Sequence, residues 1–187
     1  YKIPKIFIVN MVDKEQADFE AVLSALQKYY GRTVFPFTLP VNQGEGFNQI
    51  ADVLRKSLFT FKGDGSGNCT EDAADGELSE KLEKLHNDLI ELIAESDETL
   101  LESFFEKGEL NEEELRGGLH QALKTDSLIP VFCISSLTNV GVKRMLDVLA
   151  KYAPCAGDFE KVTGKNPDSN EELVHGAAIT DPLSAIV

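Results

Sequence analysis

The stretch Lys5-Ile6-Phe7-Ile8-Val9-Asn10-Met11-Val12-Asp13 decides how this chain is read. An apolar run that ends in a short polar motif is the pattern of a strand in an open α/β sheet, where ligands bind beyond the carboxyl ends of the strands. The same grammar returns far downstream, where Pro130-Val131-Phe132-Cys133-Ile134 runs into Ser135-Ser136-Leu137. Both runs predict buried strands, and their two polar ends are candidates for one site. A carboxylate at Asp13 can accept from both N1–H and the exocyclic N2–H of guanine, a donor pair that adenine does not present. The Asn10 side chain can contact a purine N7 and tie neighbouring loops together. Taken singly, Asp13 reads more simply as a helix N-cap and Asn10 as a strand-end turn. The second strand end with its Ser135-Ser136-Leu137 is what favours base recognition.

A phosphate-cradling loop needs glycines followed by Gly-Lys-Ser/Thr, so that backbone N–H groups and a lysine reach the phosphates. The only Gly-Lys here is Gly164-Lys165, followed by Asn166, and Gly63-Asp64-Gly65-Ser66-Gly67 has no suitably placed lysine. No complete nucleotide-hydrolysis machinery is written in these residues, so the chain is expected to be inactive as an enzyme on its own.

The 187 residues suit one domain or slightly more, and 42% apolar content supports a core. A net charge of −14 argues against direct binding to DNA or other nucleic acid, whose phosphates are met by basic patches. No signal peptide and no apolar run of membrane-spanning length is present, so no membrane association is expected. Cys69, Cys133 and Cys155 lack metal-ligand spacing and read as reduced thiols of a cytoplasmic protein, Cys69 in a loop, Cys133 in a strand and Cys155 after a helix.

Outward from the first strand, Phe19, Val22, Leu23, Leu26 and Tyr30 predict a helix that stops at Gly31. Residues 34–41 are β-like, with prolines suited to an edge strand, and residues 47–62 are expected to pair with them. Residues 63–76 read as a glycine-rich acidic loop. Its Asp64, Ser66, Asn68, Thr70, Asp72 and Asp75 fall at calcium-hand positions, but Cys69 replaces the turn glycine and Asp75 the bidentate glutamate, so no metal is expected. Leu78, Leu82, Leu85, Leu89 and Leu92, extended by Ile93, Leu100, Leu101, Phe104 and Phe105, predict a long amphipathic helix. A second helix begins at Asn111, with Glu114 as its capping-box partner and Leu110 and Leu115 placed for a hydrophobic staple. Their outward faces are acidic, through Glu91, Glu95, Asp97, Glu98, Glu102, Glu106, Glu112 and Glu113. After the strand from Pro130 comes a helix ended by Pro154; residues 157–175 read as a linker or extended segment, and residues 181–187 as the start of a strand.

These features together resemble elongation factor G, the translational GTPase family. Ile8-Val9-Asn10-Met11-Val12-Asp13 with Ala17-Asp18-Phe19 is similar to its guanine-specificity motif and following helix. Phe37-Thr38-Leu39-Pro40-Val41, the segment Glu91 to Asp97, Gly108-Glu109-Leu110-Asn111, Ile129 to Cys133, Asn139-Val140-Gly141-Val142 and Tyr152-Ala153-Pro154 fall in family order. The resemblance spans nearly the whole chain.

The resemblance implies an α/β fold: the C-terminal half of a P-loop GTPase-type sheet, residues 1–32 and 129–156, interrupted by an α+β insertion over residues 33–128. Residues 157–187 would be a linker and the opening of a β-barrel second domain. It implies GTP or GDP as the nucleotide, recognised by Asn10, Met11, Asp13, Ser135, Ser136 and Leu137, with the phosphate loop, switch segments and magnesium site carried by a part of the parent before Tyr1. It implies the ribosome as partner, including the large-subunit stalk protein at the acidic insertion. Where this chain has Met11 the family has lysine, whose stem packs along the base, and where it has Ser136 the family has alanine; the base oxygen would be met by the backbone N–H there. The Ser136 change is mild; Met11 points to a divergent paralogue. Besides a translocating GTPase, the alternatives are a non-hydrolysing or specialised ribosome-binding protein, in recycling, ribosome protection or stalk-protein docking.

Overall fold

A computed structural model describes residues 3–108, 110–158, 162–176 and 180. The elements are β1 (Phe7–Val9), α1 (Phe19–Tyr30), β2 (Val34–Pro36), β3 (Thr38–Pro40), β4 (Gln49–Asp52), β5 (Ser57–Phe61), β6 (Cys69–Ala73), α2 (Gly76–Ala94), α3 (Glu98–Lys107), α4 (Glu112–Lys124), β7 (Ile129–Cys133), α5 (Val142–Tyr152), β8 (Val162–Lys165) and β9 (Glu172–His175). The protein is mixed α/β. Residues 1–153 form one compact unit and residues 154–187 another.

In the first unit β7 lies between β1 and β2 in a parallel sheet, with Ile8 opposite Phe132 and Phe35 opposite Pro130. All five residues of β7 are buried, as its unbroken apolar run requires. Expected to be buried, β1 is instead an edge strand among the described residues, and Ile8 on it is 44% exposed. Its side-chain alternation puts Ile8 on a face that no described element covers.

The β-like stretch 34–41 is two strands in two sheets. Val34–Pro36 runs parallel to β7, and Thr38–Pro40 is the edge of an antiparallel sheet ordered β3-β4-β5-β6. The switch is at Phe37, whose amide donates to Val131 O (2.9 Å) while its carbonyl accepts from Val53 N (3.0 Å). Pro36 supplies no amide, and both short strands lie at sheet edges, where proline is tolerated. The expected insertion, residues 33–128, thus begins inside the parallel sheet. Its own sheet shares the core: Phe37 meets Phe132 edge-on at 5.6 Å, and Cys133 N donates to the buried Thr38 Oγ1 at 2.9 Å.

Two further expectations are corrected and a third is refined. The glycine-rich loop and its Cys69 contribute strand β6, paired with β5 from Ser57–Ala73 to Phe61–Cys69. The turn before it closes through Lys62 N to Asn68 O (3.1 Å), which leaves residues 69–73 free to satisfy the open edge of β5. The predicted single helix from Leu78 to Phe105 is two helices, because the Asp97 carboxylate accepts from Thr99 N (2.8 Å) and Leu100 N (3.3 Å) and so starts a new one. Phe105, assigned to the apolar face, is consequently exposed. Residues 157–175, expected as a linker or extended segment, are extended in part and contain the β8–β9 hairpin of the second unit. Asn166 organises its turn, its side chain accepting from Asp168 N (2.9 Å) and its amide donating to Glu171 O (2.9 Å). The strand expected over residues 181–187 lies outside the described residues. Helix α4 has the expected Asn111–Glu114 capping box. No described helix is long and apolar enough to cross a membrane.

Candidate functional site

The two strand ends singled out from sequence are adjacent in space. Parallel pairing of β1 with β7 sets Val9 opposite Cys133, so Asn10 and the Ser135 loop leave the sheet side by side. Asn10 ties them together: its Oδ1 accepts from Met11 N (2.8 Å) and Ser136 N (3.0 Å), and its Nδ2 donates to Ser136 Oγ (3.0 Å). The second loop is closed by a reciprocal pair, Ser135 N to Val140 O (3.0 Å) and Val140 N to Ser135 O (3.1 Å). Inside it, Thr138 N donates to Ser135 Oγ at 3.2 Å.

Asp13 is not the helix cap. That place belongs to Asp18, whose carboxylate accepts from Ala21 N at 2.9 Å. The Asp13 side chain is only 11% exposed, lies 3.3 Å from Lys14 Nζ, and holds a buried Oδ1 that takes no regular hydrogen bond among the described residues. The buried Ser135 hydroxyl beside it is the main influence holding its carboxyl below the ordinary carboxylate range, with its own backbone amide and Lys14 adding to this against the opposing effect of burial. A carboxylate kept ionised beside two joined strand ends can accept from further donors. On the open side stand two apolar side chains, Met11 (61% exposed) and Leu137 (76% exposed), of the kind that covers the face of a flat ring. Met11 takes a left-handed backbone, φ 64°, at the turn closed by Lys14 N to Met11 O (3.1 Å).

All six expected residues therefore gather at one place. One detail differs: the Ser136 N–H, expected to meet a base oxygen, is engaged by Asn10 Oδ1, whereas the following amide, Leu137 N–H, has no partner among the described residues. No described group of three or more His, Cys, Asp or Glu side chains is arranged to hold a metal.

Gly141, which caps α5 directly behind this loop, is a residue whose importance the sequence shows only as part of Asn139-Val140-Gly141-Val142. It sits at φ 77°, and a Cβ there would lie 2.7 Å from the Cys133 backbone oxygen. Backbone cannot swing aside as a side chain can, so Gly141→Ala combines strain with a clash. We expect it to cost about 2 kcal/mol or more in urea unfolding; a change within about 0.5 kcal/mol, the range of inert surface substitutions, would show that the loop relaxes freely.

No protein-family profile matches the chain. In structure it is similar to a crystallised protein from Thermus thermophilus, with a TM-score of 0.74 over 93% of this chain at 22% identity. The chain spans 27% of that protein's length, and the likeness is one of fold.

Proposed function

We propose that this chain is the base-recognising part of a guanine-nucleotide-binding protein of the elongation factor G type, acting on the ribosome in the cytoplasm. Its parallel sheet would be the C-terminal half of a P-loop GTPase-type sheet. The observation that carries the reading is the Asp13 carboxylate, held ionised beside the Ser135 hydroxyl at a strand end locked by Asn10 to the Ser136 loop. Guanine would place its N1–H and N2–H on Asp13 and its oxygen on the Leu137 N–H, between Met11 and Leu137. Hydrolysis of GTP and the magnesium it uses would need residues of the phosphate-binding kind, which this sequence does not contain.

The acidic helices are the proposed docking face for the large-subunit stalk protein. Phe105 is exposed on α3, among the exposed carboxylates Glu98, Glu102 and Glu106, which suits a partner both basic and apolar. A specialised ribosome-binding role in recycling or ribosome protection would use the same two surfaces.

The direct test is nucleotide binding by the chain itself. Base contacts are a minority of a full nucleotide site, so GDP should bind at roughly millimolar affinity, and ADP more weakly still. Chemical-shift titration of labelled chain reads this. Equal responses to GDP and ADP, or perturbations away from residues 10–13 and 135–137, would sink the proposal.

A further inference from the structure

We infer that one end of the inserted antiparallel sheet is a positioning clamp for the base site, gripping both base-reading loops at once; this rests on the guanine-site reading above. Two connections leave the sheet at that end, residues 41–48 between β3 and β4 and residues 62–68 between β5 and β6. The first is braced on itself by Asn42 Nδ2 donating to Asn48 Oδ1 (2.9 Å), and is tied to the end of β5, from which the second leaves, by Phe61 N donating to Asn48 O (2.8 Å).

The first connection holds the Asn10–Asp13 loop. Gly44 N donates to Val12 O at 2.8 Å, and Phe19 N donates to Gln43 Oε1 at 3.2 Å. Val12 O belongs to the peptide that carries Asp13, so this bond fixes the root of the base-reading carboxylate. The second connection holds the Ser135–Val140 loop. Asn139 Nδ2 donates to Gly65 O at 3.2 Å, and Gly67 packs so closely that a Cβ on it would lie 2.8 Å from Asn139 Nδ2. Gly67 is buried at φ 72°, and Asn139, two residues beyond Leu137, is itself left-handed at φ 59°.

Without these contacts each loop would be tied only to its own strand and to the other through Asn10, the Val12 N to Ile134 O bond (3.3 Å) and the Ser135 hydroxyl beside Asp13. A site that must order two loops on binding loses affinity to their conformational entropy, and a rigid support removes that loss. Coupling between two places is reciprocal, so a ligand at the base site must also be registered at Gly44, Gly65 and Gly67.

The test uses the whole 187-residue chain, ¹⁵N-labelled, with GDP as the probe. Asn139→Gly keeps the left-handed backbone while deleting the clamping amide. It should speed exchange of the Ser136 amide about tenfold and weaken GDP binding several-fold, with Tm nearly unchanged, because local opening is separable from global unfolding. Gly67→Ala should do the same through its clash. In the Asn139→Gly background the part of that damage due to the side-chain clash should vanish and only the strain of a Cβ at φ 72° remain, so the two substitutions should sum to less than their separate effects on Ser136 exchange; two unrelated lesions would instead add. GDP should shift the Gly44, Gly65 and Gly67 resonances of the wild-type chain and lose its effect on Gly65 and Gly67 in Asn139→Gly. Unchanged Ser136 exchange in Asn139→Gly overturns the clamp. Should the wild-type chain bind no GDP, the guanine reading fails by itself, and the exchange cycle still decides whether the clamp exists.

Discussion

Asp13→Asn is expected, on the proposed guanine-site reading, to exchange a base preference for guanine for one for xanthine. The carboxylate offers two acceptor oxygens to N1–H and N2–H, and an amide puts a donor where the exocyclic amino group of guanine would also donate. Xanthine carries a carbonyl at that position and can accept from the new amide. A site built for hydrogen bonds rejects a mismatched group strongly because a buried polar atom is left unpaired. In the chain alone, GDP shifts should disappear and XDP shifts appear at comparable concentrations, a swing of at least about a hundredfold; in a longer protein that also binds the phosphates it should reach several orders of magnitude. The substitution leaves helix α1 intact, because the cap is Asp18. Asp13→Asn binding GDP and XDP as the wild type does would remove Asp13 from the base site.

The pH dependence has a defined sign. The carboxyl is held below its ordinary range, chiefly by the Ser135 hydroxyl. Stability and base binding that need the anion are present above the unfolded value and are lost only as pH falls through the lower folded value. Guanine binding should therefore be flat through neutral and mildly acidic pH. Ser135→Ala should move the acid limb upward, toward neutral pH, which a pH series of the same titration reads.

The site was more legible in the sequence than the fold around it. Strand ends announce themselves by an apolar run meeting a polar motif, so Asn10, Asp13 and Ser135–Leu137 could be paired before any coordinates. That Asp13 is not a cap was not legible, because Asp13 and Asp18 are chemically equal candidates and only the start of α1 at Phe19 separates them. The sheet switch at Phe37 was hidden in a run of eight β-like residues whose local preferences are the same in either sheet. Strand β6 was missed because Cys69–Ala73 has little strand propensity of its own; the open edge of β5 and the glycine turn before it make it a strand. The break at Asp97 was missed because the leucine periodicity carries across it, while the cap acts through two backbone amides. Asn139 and Gly67 meet across more than seventy positions, and no local pattern can show such a contact.

The largest stability effect is expected where the antiparallel sheet meets the helix behind the proposed base site. Asp52, at the end of β4, has a side chain 2% exposed and forms an ion pair with the Arg144 Nε of α5, itself 12% exposed. Its other oxygen accepts from Arg55 N at 2.8 Å and closes the turn to β5. Arg144→Met keeps the volume and the apolar stem but leaves a buried carboxylate with one backbone donor. Breaking a buried pair from one side costs about 3–5 kcal/mol, because the remaining charge has neither water nor partner. Asp52→Asn should cost less, roughly 1–2 kcal/mol, since the amide oxygen still accepts from Arg55 N and the arginine can reach outward to solvent. The double variant should be more stable than Arg144→Met alone, because it removes the stranded charge; urea unfolding of the four proteins gives the coupling directly. Such a rescue would establish that α5 and β4 are joined by charge and not by packing alone. If Arg144→Met costs less than about 1 kcal/mol, the value of an exposed pair, then water reaches Asp52 and the junction between the antiparallel sheet and α5 is not closed.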